Sequence, residues 1–195
     1  RAAIGIITTY HPNPATGEAH YYGGLSCYYQ GKKEEAYELF YKATWNFEWC
    51  ASAYYHLAAI DCLQSEYLAA LDHLEASLDT NRKNNKAVIL KAIIHKRQGK
   101  ANLAKQGLAD LLATDPLDQW AYCESANLSG DFSDFLNSSR NDAQTIIDIA
   151  FDYSEAGFYT EAIDLIELHH RENIPESAVP NPMRKSIMTR FILAW

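Results

Sequence analysis

Ala36, Ala70 and Ala104 stand 34 residues apart, each in a similar setting: GKKEEAYELF, SEYLAALDHL and GKANLAKQGL. A fixed period of that length restricts the chain to architectures whose unit is one supersecondary element. So small a unit cannot bury its apolar face alone and must stack on its neighbours. At 195 residues, length alone admits one large domain, two small ones or an elongated array. The period selects the array.

Other columns follow the same register. With repeats starting at Gly17, Ala51 and Asn85, position 8 holds Gly24, Ala58 and Ala92, position 15 holds Gly31, Ser65 and Gly99, and position 24 holds Phe40, Leu74 and Leu108. Small residues at positions 8 and 20 let two antiparallel helices approach closely, and the large residue at 24 fills the groove between pairs. Glycine at 15 ends the first helix and turns the chain. The opening pair therefore runs from roughly Glu18 to Gln30 and then through GKKEEAYELFYKA, Gly31 to Ala43.

Asp115 and Pro116 are expected to start the next helix as N-cap and first-turn residue. That helix carries Trp120, Tyr122 and Ala126, and its partner is confined to Asp131 to Ser138, because SGDFSDFLNSSRND lacks a full helical period. A complete repeat resumes at Ala143, with Ala150, Tyr153, Gly157, Tyr159, Ala162 and Ile166 at positions 8, 11, 15, 17, 20 and 24. Ala162 lies 58 residues after Ala104, ten fewer than two periods, so one repeat is shortened.

The expected division is 1–16 (second helix of a cut repeat), 17–50, 51–84, 85–118, 119–142 (shortened), 143–176 and 177–195 (a partial repeat helix). The fold class is all-α: a right-handed superhelical array of antiparallel helix pairs with one shortened repeat and incomplete repeats at both ends. Apolar faces left uncovered at the ends predict end-to-end self-association.

These columns resemble the tetratricopeptide (TPR) repeat family over roughly residues 17–172. The segments AYELFYKATWNFEW, NNKAVILKA, DPLDQWA and AFDYSEAGFYTEAIDLIEL also resemble the C-terminal repeat array of one bacterial family. In that family the repeats follow a β-sandwich domain of unknown function, itself similar to galactose-mutarotase-like carbohydrate folds. The TPR resemblance implies a concave surface lined by the first helices. On this sequence the lining positions give Tyr21, Tyr22, Tyr28, Tyr29, Tyr55, His56, Cys62, Lys86, Lys96 and Arg97, an aromatic groove with a basic flank. Tyrosine combines contact area with a hydroxyl and little entropy to lose, which suits an extended peptide or a stacked sugar ring. The same rings serve equally well as packing between helices.

The implied function is a non-catalytic scaffold for a protein or peptide. The alternative is an accessory or dimerisation domain of a carbohydrate-active protein whose sandwich lies upstream. The clamp by which some family members grip a peptide carboxylate falls here on Tyr21, Leu25, His56, Lys86 and Leu90. Lys86 alone matches, which argues against chaperone-tail binding of that kind.

Net charge is −8, unevenly spread: Arg82 to Lys105 contains eight basic and no acidic residues, and Asp110 to Glu167 contains thirteen acidic residues and one basic, Arg140. Such a chain is expected to be electrostatically polar along its length. The acidic balance argues against nucleic acid, whereas an acidic segment of a protein partner suits the basic run. No H-E-x-x-H, G-x-S-x-G, phosphate-binding or dinucleotide fingerprint occurs, and the adjacent His169 and His170 face different directions on a helix. No catalytic group, metal or cofactor is expected.

Cys27, Cys50, Cys62 and Cys123 lie far apart within apolar helical patterns and read as buried free thiols, which slightly favours a cytoplasmic location. No stretch approaches the roughly 18 apolar residues needed to span a membrane. The last segment, with Ile187, Met188, Phe191, Ile192 and Trp195 opposed by Arg184, Lys185 and Arg190, reads as an orphaned repeat helix rather than a membrane-surface helix.

Overall fold

The computed structural model of the chain describes residues 16–173. These form ten helices and no strand. Five helix pairs follow in order: α1 (Glu18–Tyr28) with α2 (Lys33–Ala43), α3 (Phe47–Leu63) with α4 (Tyr67–Thr80), α5 (Asn85–Arg97) with α6 (Ala101–Thr114), α7 (Gln119–Ser129) with α8 (Ser133–Ser139), and α9 (Ala143–Glu155) with α10 (Tyr159–Asn173). Neighbouring pairs are joined through α2 on α3, α4 on α5 and α6 on α7. Among the first helices, α1 touches α3, and α7 touches both α5 and α9. The expectations for the cut repeat at 1–16, the helix after Pro182 and end-to-end association rest on segments outside the described residues, apart from Thr16.

The columns act as their sizes dictate. Ala36, Ala70, Ala104, Ala58 and Ala150 are fully buried, as are Phe40 and Leu74. At Gly24 a Cβ would stand 2.7 Å from the Phe40 ring, so α1 and α2 meet over a position with no room for a methyl group. The turn column is left-handed throughout: Gly31 and Gly99 have φ 74°, Gly157 has 79° and Ser65 has 63°. Ser65 holds this conformation at a steric cost that glycine avoids.

The fourth pair departs from the 34-residue unit. Its second helix, α8, has 7 residues, against 14 in α6, and it ends on Arg140 and Asn141 at φ 53° and 50°. Its first helix starts later than expected. Asp118, not Asp115, is the N-cap, its carboxylate accepting from the Ala121 N–H at 2.9 Å. Asp115 instead closes the preceding turn by accepting from the Leu117 N–H at 3.2 Å. Asn85 donates to both carboxylates, at 2.8 and 2.9 Å, and so fixes the turn against the start of α5.

His56 completes the packing of the first two repeats. Its ring stacks on Phe40 at 4.9 Å and 12°, its Nε2 meets the Tyr21 hydroxyl at 3.1 Å, and the residue is 8% exposed. Burial, then the Lys86 charge, lowers its pKa from 6.5 to about 4. The folded state thus binds fewer protons than the unfolded chain. This contribution is complete above pH 6.5 and is lost as pH falls toward 4.

Two outcomes are expected. Gly24→Ala should lower unfolding free energy in urea by about 1–3 kcal/mol, since the Phe40 ring must move. Between pH 7 and pH 4, the parent should lose roughly 3 kcal/mol more stability than His56→Phe. Taking the difference between the two proteins isolates the imidazole from carboxylates that titrate in the same range.

Candidate functional site

The four expected tyrosines of the first repeat fall into two groups, at opposite ends of α1. Near the start of α1, Tyr21 stacks on Trp49 at 4.9 Å and 29°, and Tyr22 meets the same indole edge-on at 5.4 Å. Tyr22 is 47% exposed, whereas Tyr21 is half-buried against Phe40 and His56. Trp49 belongs to this cluster although the repeat columns do not point to it. Its signal is local, an aromatic in the first turn of α3 preceding Ala53 by one turn.

The second group lies at the other end of α1. Tyr28 is 9% exposed and Tyr29 is 60% exposed. Tyr28 donates its hydroxyl hydrogen bond to the Glu155 carbonyl, and Tyr29 donates to the Glu155 carboxylate. These pairs are separated by 127 and 126 residues, so the fifth repeat reaches back to the first. The same crossing recurs at the second and third repeats. At Gly157 a Cβ would stand 2.9 Å from a Leu63 methyl group. Lys86 pairs with Asp152, and Arg97 holds both Glu161 carboxylate oxygens at 2.8 and 2.9 Å. The Arg97 guanidinium also lies 4.7 Å over the Phe158 ring. The end of α9 and the turn into α10 thus span the face formed by α1, α3 and α5.

Tyr55 is buried in the core beneath this crossing, and His56 lies in the packing of the first two repeats. The basic run and the acidic half, remote in sequence, meet in space through Lys86, Lys96 and Arg97. Lys96 approaches Glu124 at 3.0 Å. Glu124 has no solvent exposure and also accepts from the Tyr153 hydroxyl and from Asn127. Tyr153 packs edge-on against Trp120 at 5.5 Å, fastening α9 to α7.

Two phenols and two carboxyls at the crossing are held above their ordinary titration ranges. Burial pushes the Tyr28 phenol up, with the Glu155 charge adding to it. For Tyr29, burial and the Glu155 contact raise the phenol together. Burial raises the Asp152 and Glu155 carboxyls, against the opposing pulls of Lys86 and Tyr29 respectively. The phenol, ammonium and guanidinium donors of this face are met by Asp152, Glu155 and Glu161 of the same chain.

Two further features lie away from this face. His73 Nδ1 meets the buried Asp61 carboxylate at 2.7 Å, with Tyr54 stacked on the imidazole at 5.8 Å and Tyr37 edge-on at 6.0 Å. A cleft of about 650 Å³ lies between α4, α5 and α6, lined by Leu78, Val88, Lys91, Leu103 and Leu111 among others. Cys62 and Cys123 are buried, and burial pushes both thiols up to about 12, which leaves them unreactive. Cys27 is also buried and Cys50, expected to be so, is half-buried; none of the four forms a disulfide. Among the described residues no group of three or more His, Cys, Asp or Glu could hold a metal ion, and no helix is long and apolar enough to cross a membrane.

No protein-family profile matches the sequence, and no curated protein matches it. Solved structures do match. A crystal structure of MamA superposes with a TM-score of 0.53 at 18% identity, covering 88% of this chain and 85% of that one. MamA from Desulfovibrio magneticus RS-1 gives 0.57 at 12% identity, covering 85% and 99%. YrrB, described as a TPR protein with an unusual peptide-binding site, gives 0.58 at 14% identity, covering 88% and 92%. At these identities the likeness is one of fold: the chain folds as a TPR-type solenoid of helix pairs.

Proposed function

We propose that the chain is a non-catalytic scaffold that binds a protein or peptide, with an acidic segment, on the face formed by α1, α3 and α5. One observation carries the reading: Tyr22 and Tyr29 present exposed rings on the face where Lys86 and Arg97 meet carboxylates. Aromatic rings supply contact area at small entropic cost, and the cations supply charge complementarity and steering. Tyr28, Tyr55 and His56 shape this face from beneath, since all three are buried. The peptide-binding description of YrrB, a protein of the same fold, is consistent with this use of the architecture.

The rival reading, an accessory or dimerisation domain beside an upstream carbohydrate-type sandwich, is motivated by the segments AYELFYKATWNFEW and AFDYSEAGFYTEAIDLIEL. It places function at the ends of the array rather than on this face.

A photo-crosslinking amino acid installed at Tyr22 or Tyr29 should capture a partner from native extract, and one at Leu68, exposed on α4, should not. Added salt should weaken capture, as charge steering requires. Equal capture at Leu68, or none at either tyrosine, would contradict the binding role of this face.

A further inference from the structure

The face proposed to bind a partner is already crossed by carboxylates of the same chain, presented as a helix presents them. Asp148, Asp152 and Glu155 fall one and two turns apart on α9, along one stripe. Asp152 engages Lys86, and Glu155 engages Tyr29 through its carboxylate and Tyr28 through its carbonyl. Glu161, in the first turn of α10, extends the stripe to Arg97. We propose that this acidic edge stands in for the natural partner: the α1–α3–α5 face binds an acidic amphipathic helix of another protein, which takes over Lys86 and Tyr29 from α9. The proposal rests on the reading of that face as a protein-binding surface.

Three observations make the internal occupant exchangeable. Its contacts skip neighbours, joining repeat five to repeats one, two and three, whereas a solenoid is held by contacts between adjacent repeats. The adjacent contact, Tyr153 on Trp120 and Glu124, is separate and fully buried. The cations of the ionic contacts reach solvent, the Lys86 side chain being 52% exposed and Arg97 37%, while the Asp152 and Glu161 carboxylates are largely covered at 19% and 15%, so a competing carboxylate approaches each pair from the cation side. Finally, the Tyr55 hydroxyl, buried under the crossing and sensing the charges of Asp152 and Glu155, has no hydrogen-bond partner. Such a group is costly to bury, and a better-fitted helix relieves it.

The test uses the full chain and a fluorescent peptide of residues 143–158, with a control peptide in which Asp148, Asp152 and Glu155 are replaced by Asn, Asn and Gln. A second full-chain protein, Asp152→Asn with Glu155→Gln, removes the carboxylates by which α9 holds Lys86 and Tyr29. This protein should bind the acidic peptide about tenfold more tightly than the parent, because the closed state no longer competes. The control peptide should not bind, and adding Lys86→Glu should abolish binding. Small-angle scattering should show the double variant expanded relative to the parent, and circular dichroism should show it equally helical.

Equal affinity of parent and double variant, equal binding of the control peptide, or indifference to Lys86→Glu would each overturn the proposal. So would a parent dimer that Lys86→Glu dissociates, since the face would then belong to a second copy. If the peptide is ignored while crosslinking at Tyr29 captures a non-acidic partner, the binding face stands and the acidic-helix proposal falls. If the peptide is ignored and nothing is captured, both fall.

Discussion

Close approach between two helices over a position with no side chain is the contact on which the rest of this molecule depends. At Gly24 the Phe40 ring occupies the space a methyl group would take, and Ala58, Ala92 and Ala126 mark the equivalent column in later repeats. Because the approach is set by size, a column of small residues lets the two helices of a pair, and successive pairs, stack closely. Repetition of a small rotation then becomes curvature. Curvature brings the fifth repeat to the first, and every feature of the candidate site follows from that return.

The return also decides what the uneven charge does. Read linearly, the basic stretch and the acidic half make a molecule polarised along its axis. In the folded chain Lys86, Lys96 and Arg97 meet Asp152, Glu124 and Glu161, so much of the contrast is used internally. These three pairs are not equivalent. Glu124 is wholly buried and satisfied by Lys96, Tyr153 and Asn127, so removing one donor leaves a buried charge short of partners, a large penalty. In the pairs of Lys86 and Arg97 the cation reaches water while the carboxylate is largely covered, so breaking them costs less than stranding the wholly buried Glu124. The first fastens neighbouring repeats, and the other two close a gap between remote ones.

What the sequence revealed follows the range of the interactions involved. Columns of alanine and glycine at a 34-residue spacing report contacts within a pair and between adjacent pairs, and these local packing rules placed the helices, the turns and the shortened α8. The TPR resemblance implied a shared lining for Tyr21, Tyr22, Tyr28, Tyr29, Tyr55, His56, Lys86, Lys96 and Arg97, but it did not separate rings that face solvent from rings that pack. That distinction depends on Glu155 and Leu63, whose approach is the summed result of several repeats and has no local signature. The Asp118 cap was obscured for a simpler reason: two aspartates precede α7, and a side chain on another helix, Asn85, holds both. Trp49 and the His73–Asp61 pair lie off the repeat columns, so periodicity is silent about them.

The most direct test of closure is zero-length carbodiimide coupling of the dilute, native full chain, read by peptide mass spectrometry. Such coupling joins an amine only to a carboxylate in contact with it. A closed array gives an intramolecular Lys86–Asp152 bond in the monomer, beside the Lys91–Glu75 bond expected from a 3.2 Å pair between adjacent helices. Formation of Lys91–Glu75 without Lys86–Asp152 would show that the stack forms but the fifth repeat does not return, and would contradict closure.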